Sequence, residues 1–267
     1  MLLPLFVMIT TSFQSMAEIY SDKYVFFPKK LLFENYPLAM KKGNWSRYFF
    51  NSAYISVTSV ALSLLFNSIA GYAFARLRFR GRDVLFLFAL LGLMIPPQVT
   101  MVPLFIMMKN MPLFGGNNIL GQGGVGWLNS YWGLIMPHLA GSFGVFLCRQ
   151  YYIGFPTSID EAAMIDGATR LQTYLTIYLP LSGPVLVTLA ILKATFTWNE
   201  YIWPLVLTSS EEMMTVQLAL SKFRTDFRIE WNLLMAATML IIFPLLLLFL
   251  ILQKYFVQGI VTSGMKN

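Results

Sequence analysis

The chain has 267 residues, of which 57% are hydrophobic and only 12% charged, and its mean hydropathy is +0.64. A soluble domain carries about a quarter charged residues, and one of this length could not hide 23 Phe, 16 Met and 6 Trp; disorder is excluded by the same composition. One Cys and one His (Cys148 and His138) exclude an intrachain disulfide framework and a four-ligand zinc centre, and the net charge of +7 sits between apolar runs without an aromatic–basic signature, so it reads as membrane topology rather than nucleic-acid binding.

A spanning helix needs about 20 mostly apolar residues. The first run, residues 1–13, is too short, because its purely apolar part ends at Ile9. It reads as the tail of a longer first helix; a signal peptide is the alternative, but a basic n-region is lacking. A polar segment with Pro28 and Pro37 follows over 14–47. Further spans are expected at about 51–77, 84–108, 131–148, 185–207 and 233–252, six with the first. Between the second and third, Arg76, Arg78, Arg80 and Arg82 place four arginines in seven residues, which puts that short loop in the cytoplasm. Alternation then places 149–184 and the C-terminus inside as well. The six Lys and Arg from Lys23 to Arg47 fall outside, as long segments can, since they translocate largely regardless of charge.

In the second run Ser52, Ser56, Ser59, Ser63, Asn67 and Gly71 form one helical stripe. Small and hydroxyl residues let helices approach closely in lipid, so the stripe reads as a packing face, with a pore-lining face as the alternative. In the third run Ile95-Pro96-Pro97 and Pro103 predict a break. Such a break is tolerated only against protein or a water-filled cavity, which predicts that this span faces the bundle interior. Gly133, Pro137 and Gly141 predict a similar irregularity in the fourth run, where His138 reads as a packed, hydrogen-bonded histidine. Residues 121–126 fit G-x-G-x-x-G, but neither a preceding strand nor a following acid supports a dinucleotide site; they read as a flexible outside loop. No P-loop pattern occurs in the chain.

The fifth run holds the unusual polar groups. Lys193, Thr197 and Glu200 at i, i+4 and i+7 are expected on one face, with Trp198 and Asn199 at the same level. A charge at mid-bilayer costs about 2.5–3.5 kcal/mol on insertion scales, so these groups need water, a partner chain or the interface. Aromatic rings with a few polar groups suit a sugar, by stacking and hydrogen bonding. An interfacial aromatic belt is the alternative reading.

Residues 149–184 form the longest inside loop. Ser158-x-x-Glu161 reads as a capping box behind Pro156, Gly167 as the glycine that ends the helix, Thr169-x-x-Gln172 as a second box and Pro180 as a stop. The loop therefore encodes a stiff knuckle of two short helices, the first kept slim by Ala162 and Ala163.

Glu161-Ala162-Ala163, Asp166-Gly167-Ala168 and Ile177-x-Leu179-Pro180 resemble the EAA motif of binding-protein-dependent ABC importer permeases. The Gly71–Arg76 run, Ile95-Pro96-Pro97, and Trp198-Asn199 with Trp203-Pro204-Leu205 are similar to the carbohydrate-uptake permeases of the maltose, multiple-sugar and glycerol-phosphate type. The chain departs from that pattern in its short first helix and its glycine-rich 111–127 loop. The resemblance implies an all-α, multi-pass transmembrane bundle of about six spans, a single permease domain over 1–267, in the cell membrane. It implies a second permease subunit as heterodimer partner, two ATPase subunits that bind ATP and Mg, and an extracytoplasmic solute-binding protein that delivers a carbohydrate; the permease itself holds no cofactor and is not an enzyme. Asp160, Glu161, Ala162, Ala163, Asp166, Gly167 and Ala168 would be the coupling helix that docks on the ATPase, with Glu161 in an ion pair there. Lys193, Thr197, Trp198, Asn199 and Glu200 are candidates for the pathway wall. Two further classes stay open: a secondary transporter that uses Lys193 and Glu200 for ion coupling, and a membrane enzyme, which lacks a nucleophile–base set.

Overall fold

The structure is a computed structural model that describes residues 3–22, 25–224 and 229–264. Met1 and Leu2 of the first run, Lys23 of the outer basic group and the last three residues lie outside the described residues. In chain order the helices are α1 (Leu3–Ser12), α2 (Met16–Ile19), α3 (Asn35–Lys41), α4 (Trp45–Arg76), α5 (Arg82–Leu91), α6 (Pro97–Lys109), α7 (Tyr131–Ile135) and α8 (Ser142–Ile153). They continue with α9 (Ser158–Ile165), α10 (Arg170–Thr173), α11 (Leu179–Leu181), α12 (Gly183–Asn199), α13 (Ile202–Leu207), α14 (Val216–Ala219) and α15 (Trp231–Gly264). Among the described residues the fold is all-α, the one extended pairing being a bridge between Arg224 and Ile229.

Among the described residues two helices, α4 and α15, are long and apolar enough to cross a membrane unaided. Two bent pairs bring the number to four: Tyr131–His138 with α8, bent by 43°, and Arg170–Leu181 with α12, bent by 75°. The third run is broken as its prolines require. Helix α5 ends at Leu91, and Pro97 opens α6, where its missing N–H costs nothing. The expectation that this run lies inside the bundle is not met within this chain. Met94 is 79% exposed, and Leu93, Ile95, Val99 and Val102 are exposed too, because among the described residues no other helix covers the break.

The chain divides into two compact units. The first comprises residues 1–54 and 198–248. Its core packs Trp45, Tyr48, Trp198, Val216, Phe223, Ala236, Ala237 and Ile241. Asn35 ties it together: its amide donates to Ser12 O and Gln14 O, and its Oδ1 accepts from Asn232 Nδ2. Asn51 Nδ2 donates to Glu212 O and Met214 O, and Val216 N donates to Ser52 Oγ, so the start of α4 organises the 208–216 segment.

The second unit comprises residues 55–197 and 249–267. Ser56, Ser59, Ser63, Asn67 and Gly71 of α4 are all buried, which supports the packing reading of the stripe. At Gly71 the approach of α8 is so close that a Cβ would stand 2.5 Å from Cys148 Cβ. The glycine-rich 111–127 loop is not a loose connector. Asn117 Nδ2 donates to Lys109 O and Met111 O, Gly124 N donates to Asn117 Oδ1, and Gly115, Gly121 and Gly126 adopt positive φ against backbone atoms that a Cβ would strike.

Candidate functional site

The knuckle begins differently from its sequence signature. Helix α9 starts at Ser158, and Thr157 before it already has helical angles, so the Ser158 capping box does not form. Asp160 N and Glu161 N donate instead to Thr157 O. The first turn keeps two carboxylates, Asp160 and Glu161, which suit the positive end of the helix. The end is as the glycine requires. Gly167 has φ +75°, its N–H donates to Met164 O, and Ala168 N donates to Ala163 O at 2.9 Å, a complete Schellman turn. The second box forms: Gln172 N donates to Thr169 Oγ1, and Thr169 N donates to Gln172 Oε1 at 2.8 Å.

Pro180 does not stop the second helix. It removes the amide that would bond to Thr176 O, and the chain widens into a π-helical turn over Tyr174–Tyr178 before running on to Leu181. The turn comes at Ser182, where the direction changes by 75° into α12.

The two first-turn acids face different ways. Glu161 is exposed, as are Ala162, Asp166 and Gly167, whereas Ala163 is buried. Asp160 turns inward: its Oδ2 lies 3.3 Å from Arg76 Nη1 and accepts from Tyr178 OH at 3.0 Å. Sequence reasoning missed Met164 and Ile165, which are 52% and 86% exposed. Their spacing from Glu161, i+3 and i+4, was the available signal. The outer face of α9 is thus an apolar pair flanked by Glu161 and Asp166.

Beneath α9 lies a tyrosine cluster of Tyr72, Tyr152, Tyr174 and Tyr178 with Cys148 and Leu189. Ser68 Oγ and Tyr152 OH share a hydrogen bond of 2.6 Å, Tyr174 OH donates to Ser68 Oγ, and Ser182 Oγ lies 2.9 Å from Tyr152 OH. The knuckle therefore stands on α4, α8 and the start of α12.

Residues 67–262 match the family described as the inner membrane component of binding-protein-dependent transport systems. The chain belongs to that family. An arabinooligosaccharide transport permease protein, AraQ, of Halalkalibacterium halodurans is 35% identical over 99% of this chain and 91% of its own length. A probable permease for starch degradation products, AmyC, of Thermoanaerobacterium thermosulfurigenes is 30% identical over 99% and 91%. The lactose transport system permease protein LacG of Rhizobium radiobacter is 32% identical over 87% of this chain and 80% of its own length. A crystal structure of a bacterial ABC transporter that imports the acidic polysaccharide alginate aligns with a TM-score of 0.80 at 26% identity, over 96% of this chain and 90% of that one. A self-sufficient ion-coupled transporter is not favoured by these matches.

In this permease the expected polar face of the fifth run is interrupted. Helix α12 ends at Asn199, so Glu200 does not share a face with Lys193 and Thr197. Pro204 has no amide to give to Glu200 O, which removes a helical hydrogen bond across the break between α12 and α13. Glu200 Oε1 accepts instead from Trp203 N at 3.0 Å, at the start of α13. Trp198 is a core residue whose Nε1 donates to Ile241 O, and Asn199 Oδ1 accepts from Gln217 Nε2. Thr197 Oγ1 bonds back to Lys193 O at 2.9 Å. The Lys193 ammonium stands over the Phe196 ring and makes no ion pair among the described residues. His138 packs edge-on against Phe196 as expected of a core histidine, but its buried Nε2 has no hydrogen-bond partner among the described residues.

Proposed function

We propose that the chain is one of two permease subunits of an ATP-driven importer that moves a carbohydrate, delivered by an extracytoplasmic solute-binding protein, across the cell membrane. The observation that carries the coupling half of this reading is α9: a short helix ended by a complete Schellman turn, with Glu161, Met164, Ile165 and Asp166 exposed on its outer face. An exposed isoleucine flanked by acids fits a pocket with an apolar floor and a basic rim. We place that pocket on an ATPase subunit, two of which bind ATP and Mg and do the hydrolysis, while this chain binds neither. The saccharide class rests on the names of the relatives, which include arabinooligosaccharide, starch-product and lactose systems.

In this reading the chain crosses the membrane six times, which would put the 149–184 loop in the cytoplasm; the short arginine-rich loop at 76–82 supports that side. The second permease subunit would cover the proline break around Met94, because a broken backbone facing hydrocarbon leaves polar groups unsatisfied. Lys193 and Thr197 are the pathway candidates with most to recommend them; Trp198, Asn199 and Glu200 follow. Purification of the complex from its source membrane tests the reading. An ATPase and a binding protein should accompany the chain, and the ligand eluted from the binding protein should be a saccharide. An amino acid, peptide or metal in its place, or ion-driven uptake by the chain alone, contradicts it.

A further inference from the structure

One guanidinium holds the coupling loop at three points. Arg76 is the last residue of α4. It donates to Phe155 O just before α9, pairs with Asp160 inside α9, and stands 5.3 Å over the ring of Tyr178 beyond α9. Tyr178 in turn donates to the same Asp160 oxygen at 3.0 Å. One turn earlier on α4, Tyr72 OH donates to Arg170 O at the start of α10. Both ends of the knuckle are therefore fastened to the end of a single long helix, through residues 79 to 102 positions away in the chain. The arrangement is not an optimised ion pair for stability alone. Arg76 Nε and Asp160 Oδ1 are buried and lack partners among the described residues, and a buried pair with unsatisfied atoms contributes little net stability. A planar, permanently charged fork reaches a carbonyl, a carboxylate and an aromatic face at once, which an ammonium cannot do.

We infer that Arg76 is a positioning residue for coupling: with Asp160 and Tyr178 it locks the knuckle to α4, so that motion received at α9 is passed into α4 as well as into the helices on either side of the loop. This rests on the coupling reading proposed above. It also separates the two neighbouring acids, Glu161 serving the outer face and Asp160 the inner clamp.

The test uses the complete complex in lipid nanodiscs, with ATP hydrolysis measured with and without the binding protein. The contacts that join α9 to α4 are the same in either direction, so the clamp predicts that a binding-protein signal reaches the ATPase through them, and the stimulation of ATP hydrolysis reads that signal. Arg76→Asp should retain the ATPase subunits and basal hydrolysis but lose stimulation by the binding protein, and Asp160→Arg should lose that stimulation too. The double reversal should recover it. Tyr178→Phe and Arg76→Lys, gentler changes that keep the fold, should each lower the stimulation ratio by about fivefold, the low end of measured coupling. Unchanged stimulation in Tyr178→Phe and Arg76→Lys, or a double reversal no better than the single changes, overturns the clamp. Wild-type complex that contains no ATPase overturns the coupling reading itself, and the clamp with it.

Discussion

Asn67 closes the break in the fourth apolar run: its Oδ1 accepts from Gly141 N at 3.1 Å, at the point where the chain leaves the 3-10 turn after α7 and enters α8. The Asn67 amide also donates to Ser63 O, and α8 approaches so closely that a Cβ at Gly144 would stand 2.6 Å from Asn67 Cγ. A bent span exposes backbone donors inside the bundle, and this side chain supplies the missing acceptor. Asn67→Ala should destabilise the protein by about 1–3 kcal/mol, the cost of an orphaned buried amide. Gly144→Ala should cost about 1–3 kcal/mol by overpacking. Cys148 is the single thiol and is buried, so thermal unfolding followed by its reaction with a thiol-specific fluorophore reads both directly.

Gly167 is needed for its backbone, not for space, since a Cβ there would meet nothing within 4 Å. Gly167→Ala should therefore cost about 1–2 kcal/mol from the left-handed conformation alone. Gly167→Asn should cost less, because asparagine tolerates that region. Gly167→Pro removes the donor to Met164 O as well and should abolish uptake while the chain still inserts. Uptake and ATPase retention should fall from Gly167→Asn through Gly167→Ala to Gly167→Pro.

The outer face of α9 makes its own prediction. Ile165→Asp should weaken capture of the ATPase subunit by at least about tenfold, equivalent to about 1.4 kcal/mol. Glu161→Lys should weaken it too, and should do so less at high salt, where a rim charge is screened. Both variants should insert normally, because neither side chain is packed against the rest of the chain. Titration of the purified ATPase subunit onto permease in nanodiscs gives the affinities.

A pH dependence follows from the segment before α15. Lys222 Nζ donates to Glu211 and to Tyr48 OH, and Tyr48 donates to Glu211. The hydrogen bond from Lys222, then that from Tyr48, hold the Glu211 carboxyl below its ordinary value of 4.5. A depressed carboxylate contributes stability that is present above its unfolded value and lost as pH falls through its folded value. Thermal stability should therefore drop on acidification below about pH 4.5, and Lys222→Met should flatten that part of the profile. The group is exposed, so the change should be small and reduced by salt.

Much of the knuckle was legible because its signals are local. The Thr169 box and the Gly167 turn are set by residues three to five apart, and both form as read. The Ser158 box failed although its pattern is as good, because Thr157 is already helical and takes the N-cap place itself. The shared face of Lys193, Thr197 and Glu200 does not continue because α12 ends at Asn199; the available signal was Pro204, which has no amide to give to Glu200 O and so weakens a helix there. The inward turn of Asp160 was not legible at all, since its partner Arg76 lies 84 positions away (160 minus 76) and nothing local distinguishes Asp160 from Glu161. The exposed break near Met94 was misplaced for a related reason: apolar pattern says that a surface will be covered, not by which chain.

Reconstitution into proteoliposomes tests the central claim most directly. The complete complex should take up the saccharide carried by its binding protein only when ATP is on the side that faces α9, and the purified chain without ATPase subunits should take up none under any ion gradient. Uptake by the chain alone, or uptake by the complex with ATP confined to the opposite side, contradicts the account.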